Sequence, residues 1–202
     1  MSHQPAVVIV LCGGTSRRMA GLDKTRELLA GTTVLDHLLN GLPPSWAVVC
    51  VGDERATTRS VQWCRESPAG GGPVAGIAAG LDHVANFEDE HRQRDKVAEI
   101  CVVVGGDMPF AAAALPALVD ALNARPGLDA VLASDLDGRT QPLLAAYRSD
   151  ALRAALPREP GGARLMAVVE SLRIETMACE ARTTLDVDTP EALEKARLIV
   201  GT

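Results

Sequence analysis

Ala6-Val7-Val8-Ile9-Val10-Leu11-Cys12-Gly13-Gly14-Thr15-Ser16-Arg17-Arg18-Met19-Ala20-Gly21-Leu22-Asp23-Lys24 carries an apolar run directly into a glycine turn, two arginines and a lysine. The run Ala6 to Leu11 is short, continuous and β-branched, the pattern of a parallel strand buried on both faces. Its carboxyl end meets the glycines, and ligands of open α/β sheets bind at that edge. Gly13 and Gly14 lack a Cβ, so the backbone there can approach an anion closely and offer its N–H groups. Arg17, Arg18 and Lys24 add mobile positive charge, and the whole stretch reads as a holder of polyphosphate. Two commoner phosphate loops are excluded by spacing. A Walker loop needs Gly-Lys-Ser/Thr, whereas Lys24 follows Asp23, and residues 13–18 do not give G-x-G-x-x-G.

The rest of the chain alternates strand and helix patterns. Apolar residues at 34, 35, 38, 39 and 42 predict a helix over 33–42, ended by Pro43-Pro44. Residues 47–51 and 60–64 read as strands, with Gly70-Gly71-Gly72-Pro73 as a loop. The Ala- and Gly-rich segment 74–84 predicts a helix able to lie close to the sheet. Residues 87–96 are so densely charged that they read as an exposed helix end or loop. Ile100 to Val104 is a further buried strand, and it places Asp107 at the same edge as the first glycine loop. Helix 115–122, strand 130–133, a turn at Asp137-Gly138 and strand 142–147 follow. Short helices over 151–156 and 163–169 come next, and Thr189-Pro190-Glu191 opens a last helix with a capping side chain and proline at its first position. The alternation predicts a three-layer α/β/α sandwich with a mainly parallel sheet.

Composition narrows the class. The 202 residues suffice for one well-buried core and suggest a single domain, 1–202. A hydrophobic share of 47% beside 23% charged residues is that of an ordinary globular protein, with no apolar run long enough to cross a bilayer and no basic leader. A cytoplasmic location is expected. Cysteines 12, 50, 64, 101 and 179 form no C-x-x-C pair and fit reduced thiols. The net charge of −6 and the few aromatics argue against a nucleic-acid partner. Positive charge is instead focused locally, at Arg17, Arg18, Lys24 and Arg26.

Residues 11–24 resemble the signature L-x-G-G-x-S-x-R-M-x-x-x-D-K of sugar-nucleotide and cofactor nucleotidyltransferases, and within these the molybdenum cofactor guanylyltransferases. Four further segments lie in that family's order: Gly71 to Gly76, Gly105-Gly106-Asp107-Met108-Pro109, Gln141-Pro142 with the apolar run to Tyr147, and Asp186 to Glu191. The resemblance implies a Rossmann-like nucleotidyltransferase that moves GMP from GTP to the phosphate of molybdenum–molybdopterin. It implies Mg²⁺ as cofactor, and transient contact with cofactor-synthesis or acceptor proteins. Cys12 stands where the family usually has Ala, and Asp186 and Asp188 stand where it often has Asn-x-Asn.

Site residues follow from the same resemblance. Arg17, Arg18, Lys24 and Asp107 are the expected catalytic set, with Asp107 on the metal. Leu11, Cys12, Gly13, Gly14, Lys24, Asp53, Glu66 and Asp107 are expected at the nucleotide, and Gly72, Gln141, Asp186 and Asp188 at the pterin. Several plainer readings stay open: Asp53 and Glu66 as surface acids, Asp186 and Asp188 as helix caps, Asp188 as a second metal ligand, Cys12 as an oxidation-sensitive thiol. A cytidylyltransferase for the same pterin or another small-molecule nucleotidyltransferase, and a non-catalytic nucleotide or cofactor carrier, are the rival functions. Retention of Lys24 and Asp107 together counts against the carrier.

Overall fold

Val7 and Ile9 of the first strand enter one apolar cluster while Val8 and Val10 enter another, the period-two alternation of a strand covered on both faces. The computed structural model describes residues 6–13, 23–90 and 98–201. Its elements run β1 (Val7–Leu11), β2 (Leu28–Leu29), β3 (Thr32–Thr33), α1 (Val34–Gly41), β4 (Ala47–Val51), β5 (Gln62–Cys64), α2 (Gly72–Glu90) and β6 (Ile100–Gly105). Then follow α3 (Leu115–Asn123), β7 (Ala130–Ser134), β8 (Thr140–Arg148), α4 (Ser149–Ala155), α5 (Leu165–Glu170), β9 (Ile174–Ala178) and α6 (Pro190–Val200).

Among the described residues seven strands form one sheet in the order β5-β4-β1-β6-β8-β7-β9. β8 is antiparallel to β6 and β7, and every other neighbouring pair is parallel. Leu35, Leu38 and Leu39 of α1 and Leu115, Leu118 and Leu122 of α3 cover one face with Val8, Val10 and Val102. Val74, Ile77 and Leu81 of α2, with Leu152 of α4 and Val168 of α5, cover the other. The expected three-layer α/β/α sandwich is therefore what forms, and its mainly parallel sheet matches as well.

The close approach expected of α2 is real. A Cβ on Gly80 would stand 2.7 Å from Ile9 Cγ2, so only glycine lets the helix sit this near β1.

Three differences have physical causes. β2 and β3 pair through Ala30-Gly31, whose φ values of 47° and 85° are those of a two-residue hairpin turn. Such turns usually announce themselves by Asn-Gly, which is absent here. β9 lies at the sheet edge with mostly exposed residues, so it shows no apolar run to read. α2 continues past Val84 to Glu90, taking in the start of the charged segment.

The connection from β4 to β5 is stapled to α1. Thr33 caps α1 by accepting from Asp36 N at 3.0 Å, and Asp36 Oδ1 accepts from Thr58 N at 2.8 Å. Arg59 donates Nη1 to the carbonyls of Leu39 and Leu42, at 3.3 and 3.0 Å, and Nη2 to those of Pro43 and Trp46, at 2.9 and 2.6 Å. One guanidinium thus gathers a carbonyl from the last turn of α1 and three from the loop that follows it. Arg59→Ala is expected to cost about 2 kcal/mol, from the usual worth of charged hydrogen bonds. That corresponds to a fall of roughly 4–8 °C in melting temperature. A scan unchanged from wild type would show that water replaces the guanidinium.

Candidate active site

β1 is the point at which the sheet reverses its order of growth. From β1 the chain builds outward through β4 and β5, then crosses by α2 and lays β6 on the other side of β1. Leu11 lies opposite Val51 on one side and Gly105 on the other. Just past the sheet, Cys12 N donates to Val51 O and Gly106 N donates to Leu11 O, both at 2.9 Å. The turns after β1, β4 and β6 therefore emerge side by side at a topological switch point. Gly52 has φ +149°, and a Cβ there would lie 3.2 Å from the carbonyl carbon and Cβ of Cys12. A side chain at 52 would push the first loop aside.

Lys24 opens a short turn, Lys24–Arg26, capped by Asp23, whose Oδ1 accepts from Thr25 N at 3.1 Å. Its ammonium reaches Asp188 Oδ1 as an ion pair and lies 3.6 Å from Asp107 Oδ2. Two carboxylates, one from the middle of the chain and one from near its end, thus converge on one cation. Asp107 comes from the end of β6, and its carbonyl accepts from Val187 N at 2.9 Å. Val187 is fully buried with Leu29, Val34, Leu193 and Ala196, where α6 packs on the hairpin and α1. Burial of this one side chain contributes roughly 1.5–3 kcal/mol and holds residues 186–188 over the end of β6. Burial raises the Asp107 carboxyl above its ordinary value; Lys24 pulls it down, and the charges of Asp188 and Asp186 push it up again.

The remaining predicted residues divide. Gly14, Arg17 and Arg18 lie outside the described residues. Glu66 Oε1 accepts from Gly70 N at 3.0 Å and stands 3.7 Å from where a Cβ on Gly13 would be, beside the first loop. Asp53 pairs with Arg65, both about two-thirds exposed (65%), which agrees with the surface-acid reading. Gln141 begins β8 opposite Ala133, and because β8 is antiparallel this places it at the same sheet edge. Gly72 opens α2 at that edge as well, with Gly76 against Leu11. The helix-cap reading of Asp186 and Asp188 is corrected: Thr189 Oγ1 accepts from Ala192 N at 3.2 Å and is the cap of α6. Cys12 is buried, and its thiol is raised well above the ordinary value by its hydrogen bond with Cys50 and by burial. A buried thiol of this kind is the less reactive sort of cysteine. Arg26, expected to add to the positive focus, is occupied by Asp23 at 3.1 Å.

Sequence reading missed Arg55 and Val187. The first leaves no signal beyond lying near Gly52-Asp53, and the second is a single apolar residue between two acids. Among the described residues, no group of three or more His, Cys, Asp or Glu is placed to hold a metal ion, and no helix is long and apolar enough to cross a membrane.

Residues 8–176 match the model of the MobA-like NTP transferase domain. The chain belongs to the MobA-like NTP transferase family. It is similar to the molybdenum cofactor guanylyltransferase of Bradyrhizobium sp. strain ORS 278, 32% identical over 75% of this chain and 71% of that one. The probable molybdenum cofactor guanylyltransferase of Chloroflexus aggregans is 30% identical over 99% of this chain and 97% of its own length. Among solved structures, molybdopterin-guanine dinucleotide biosynthesis protein A from Archaeoglobus fulgidus superposes with a TM-score of 0.71 at 24% identity, covering 96% of this chain and 98% of its own. That likeness is one of fold. As a member of the MobA-like family, this protein is a nucleotidyltransferase.

The raised Asp107 carboxyl has a consequence for stability. The folded protein holds this proton more tightly than the unfolded chain, so the group's contribution to stability falls as pH rises from about 4 through the raised value. At pH 7 the charged carboxylate thus weighs against the folded state. Asp107→Asn is therefore expected to melt higher than wild type at pH 7, by about 2–4 °C for each kcal/mol relieved. A lower melting temperature would mean that the attraction of Lys24 outweighs burial.

Proposed function

We propose that this protein transfers GMP from GTP to the phosphate of molybdenum–molybdopterin, forming the guanine dinucleotide cofactor and releasing pyrophosphate. The whole chain, 1–202, acts as one nucleotidyltransferase domain in the cytoplasm. The observation that carries the proposal is the convergence of Lys24, Asp107 and Asp188 at the switch point, in a chain whose relatives carry that name.

A phosphate oxygen of the pterin attacks the α-phosphorus of GTP, and the bond from that phosphorus to the β-bridging oxygen breaks. The attacking phosphate is already ionised, so no side chain has to remove a proton. What the protein supplies is alignment and charge. The Lys24 ammonium binds the phosphates of GTP, and the loop backbone at Leu11, Cys12 and Gly13 faces them. Arg17 and Arg18 are assigned by sequence to the leaving β- and γ-phosphates. Glu66, beside Gly13, is placed at the nucleoside. Gln141, Gly72 and Asp186 lie at the same edge, on the side assigned to the pterin.

The donor set fits Mg²⁺. Asp107 and Asp188 are hard oxygen ligands already drawn to one cation, and Mg²⁺ is commonly held by one or two carboxylates together with water and substrate phosphates. When bound, the ion would neutralise phosphate charge as it builds up. Asp188 is the second ligand on this reading, consistent with its lying on Lys24 rather than at the α6 cap. Transient contact with cofactor-synthesis or acceptor proteins rests on the family resemblance alone.

Pyrophosphate release, followed with each nucleoside triphosphate, Mg²⁺ and pterin acceptor, tests the proposal. GTP is expected to support transfer and CTP to do so poorly. Faster release with CTP would move the protein to the cytidylyl branch. Lys24→Ala should lose roughly 100-fold or more in turnover while staying folded, the usual loss when one group stabilising developing charge is removed. Near-normal turnover by the folded variant would refute the assignment of Lys24.

A further inference from the structure

Lys24 stands between two residues, Asp23 and Thr25, whose side chains are tied to each other and to Arg55. Asp23 Oδ1 accepts from Thr25 N at 3.1 Å and from Thr25 Oγ1 at 2.6 Å. Asp23 Oδ2 accepts from Arg55 Nη1 at 2.7 Å and from Arg26 Nε at 3.1 Å. Arg55 Nη1 also donates to Thr25 Oγ1, so Arg55, Asp23 and Thr25 close a ring around the backbone of Lys24. Thr25 is buried, and the Arg55 side chain is only 9% exposed. The guanidinium is held from behind by Trp63, whose ring centroid lies 5.5 Å from Cζ, and Arg55 Nε donates to the Asp53 carbonyl at 3.2 Å. Arg55 is therefore fixed before it touches Asp23.

The same short turn after β4 holds both flanks of the first loop. Val51 O accepts from Cys12 N on the amino side, and Arg55 grips Asp23 on the carboxyl side. We infer that Arg55 is the positioning residue of the active site: it fixes the turn that carries Lys24 and so sets where the ammonium stands relative to Asp107 and Asp188. The inference deepens the proposed function and rests on it for the kinetic consequence only. Arg59 provides the contrast. It lies in the same connection, but its contacts serve the end of α1.

The test uses the full-length protein with Arg55→Ala, Arg55→Lys, Arg59→Ala, Lys24→Ala and the double variant of Lys24 and Arg55 to Ala. One readout is independent of turnover: labelling by acetic anhydride at Lys24, quantified by mass spectrometry against Lys195 on the exposed face of α6. Arg55→Ala is expected to raise Lys24 labelling several-fold, Arg55→Lys to fall between it and wild type, and Arg59→Ala to leave it unchanged. The second readout is turnover with GTP. Arg55→Ala should lower kcat by about 10–100-fold, the range a misplaced catalytic group produces, with a smaller change in KM.

In the Lys24→Ala background the Arg55 substitution should have no further effect on kcat, because its action runs through Lys24. Arg55→Lys keeps a cation in place but lacks the planar fork, and it carries the test if the alanine variant does not fold. Wild-type labelling of Lys24 in the folded Arg55 variants overturns the inference. So does an Arg55 effect on kcat that persists undiminished when Lys24 is Ala. If wild type itself shows no turnover, the proposed function fails, and Lys24 labelling alone then decides the role of Arg55.

Discussion

The pairing of β1 with β4 on one side and β6 on the other is the constraint on which the rest depends. Parallel register brings Leu11, Val51 and Gly105 to the same height. Everything chemical then happens within a few residues of that line. Backbone hydrogen bonds continue the pairing one residue past the sheet, at Cys12 and Gly106, and bind the three turns together. Because the chain leaves β1 in one direction and returns on the other side, no crossover helix among the described residues covers this end of the strand. A switch point of this kind is where open α/β sheets form their ligand crevice.

Into that cleft the fold delivers opposite charges from remote parts of the chain. Lys24 follows the first loop, Asp107 ends the central strand, and Asp188 precedes the last helix. The carboxylates repel one another, and burial penalises Asp107 further, so a cation standing between them offsets part of that cost. In the free protein that cation is the Lys24 ammonium. A site built this way holds unfavourable charge at some cost to stability, as functional sites commonly do.

The supports behind the site are of ordinary kinds. A fully buried valine carries the acidic segment, one arginine closes the end of α1, and another grips the turn that holds Lys24. Their common effect is to fix backbone at the places where a functional side chain must point in one direction.

Strand and helix alternation and the buried first strand were legible in the sequence, because each is a local pattern of hydrophobic period. So was the placing of Asp107, since a strand of Ile, Cys and Val must be central and its end must reach the ligand edge. Asp188 was ambiguous: an acid just before a helix is compatible with capping, and only the contact of Thr189 with Ala192 and of Asp188 with Lys24 separates the two roles. Arg55 was invisible, because its partners are 32 and 30 residues away and ion pairs over that distance leave no spacing to read. Short-range periodicity set most of the elements and which residue types line the edge, the β2–β3 hairpin and the exposed edge strand β9 excepted. Tertiary structure alone decided which charges meet, because that depends on strand order and on where Val187 is buried.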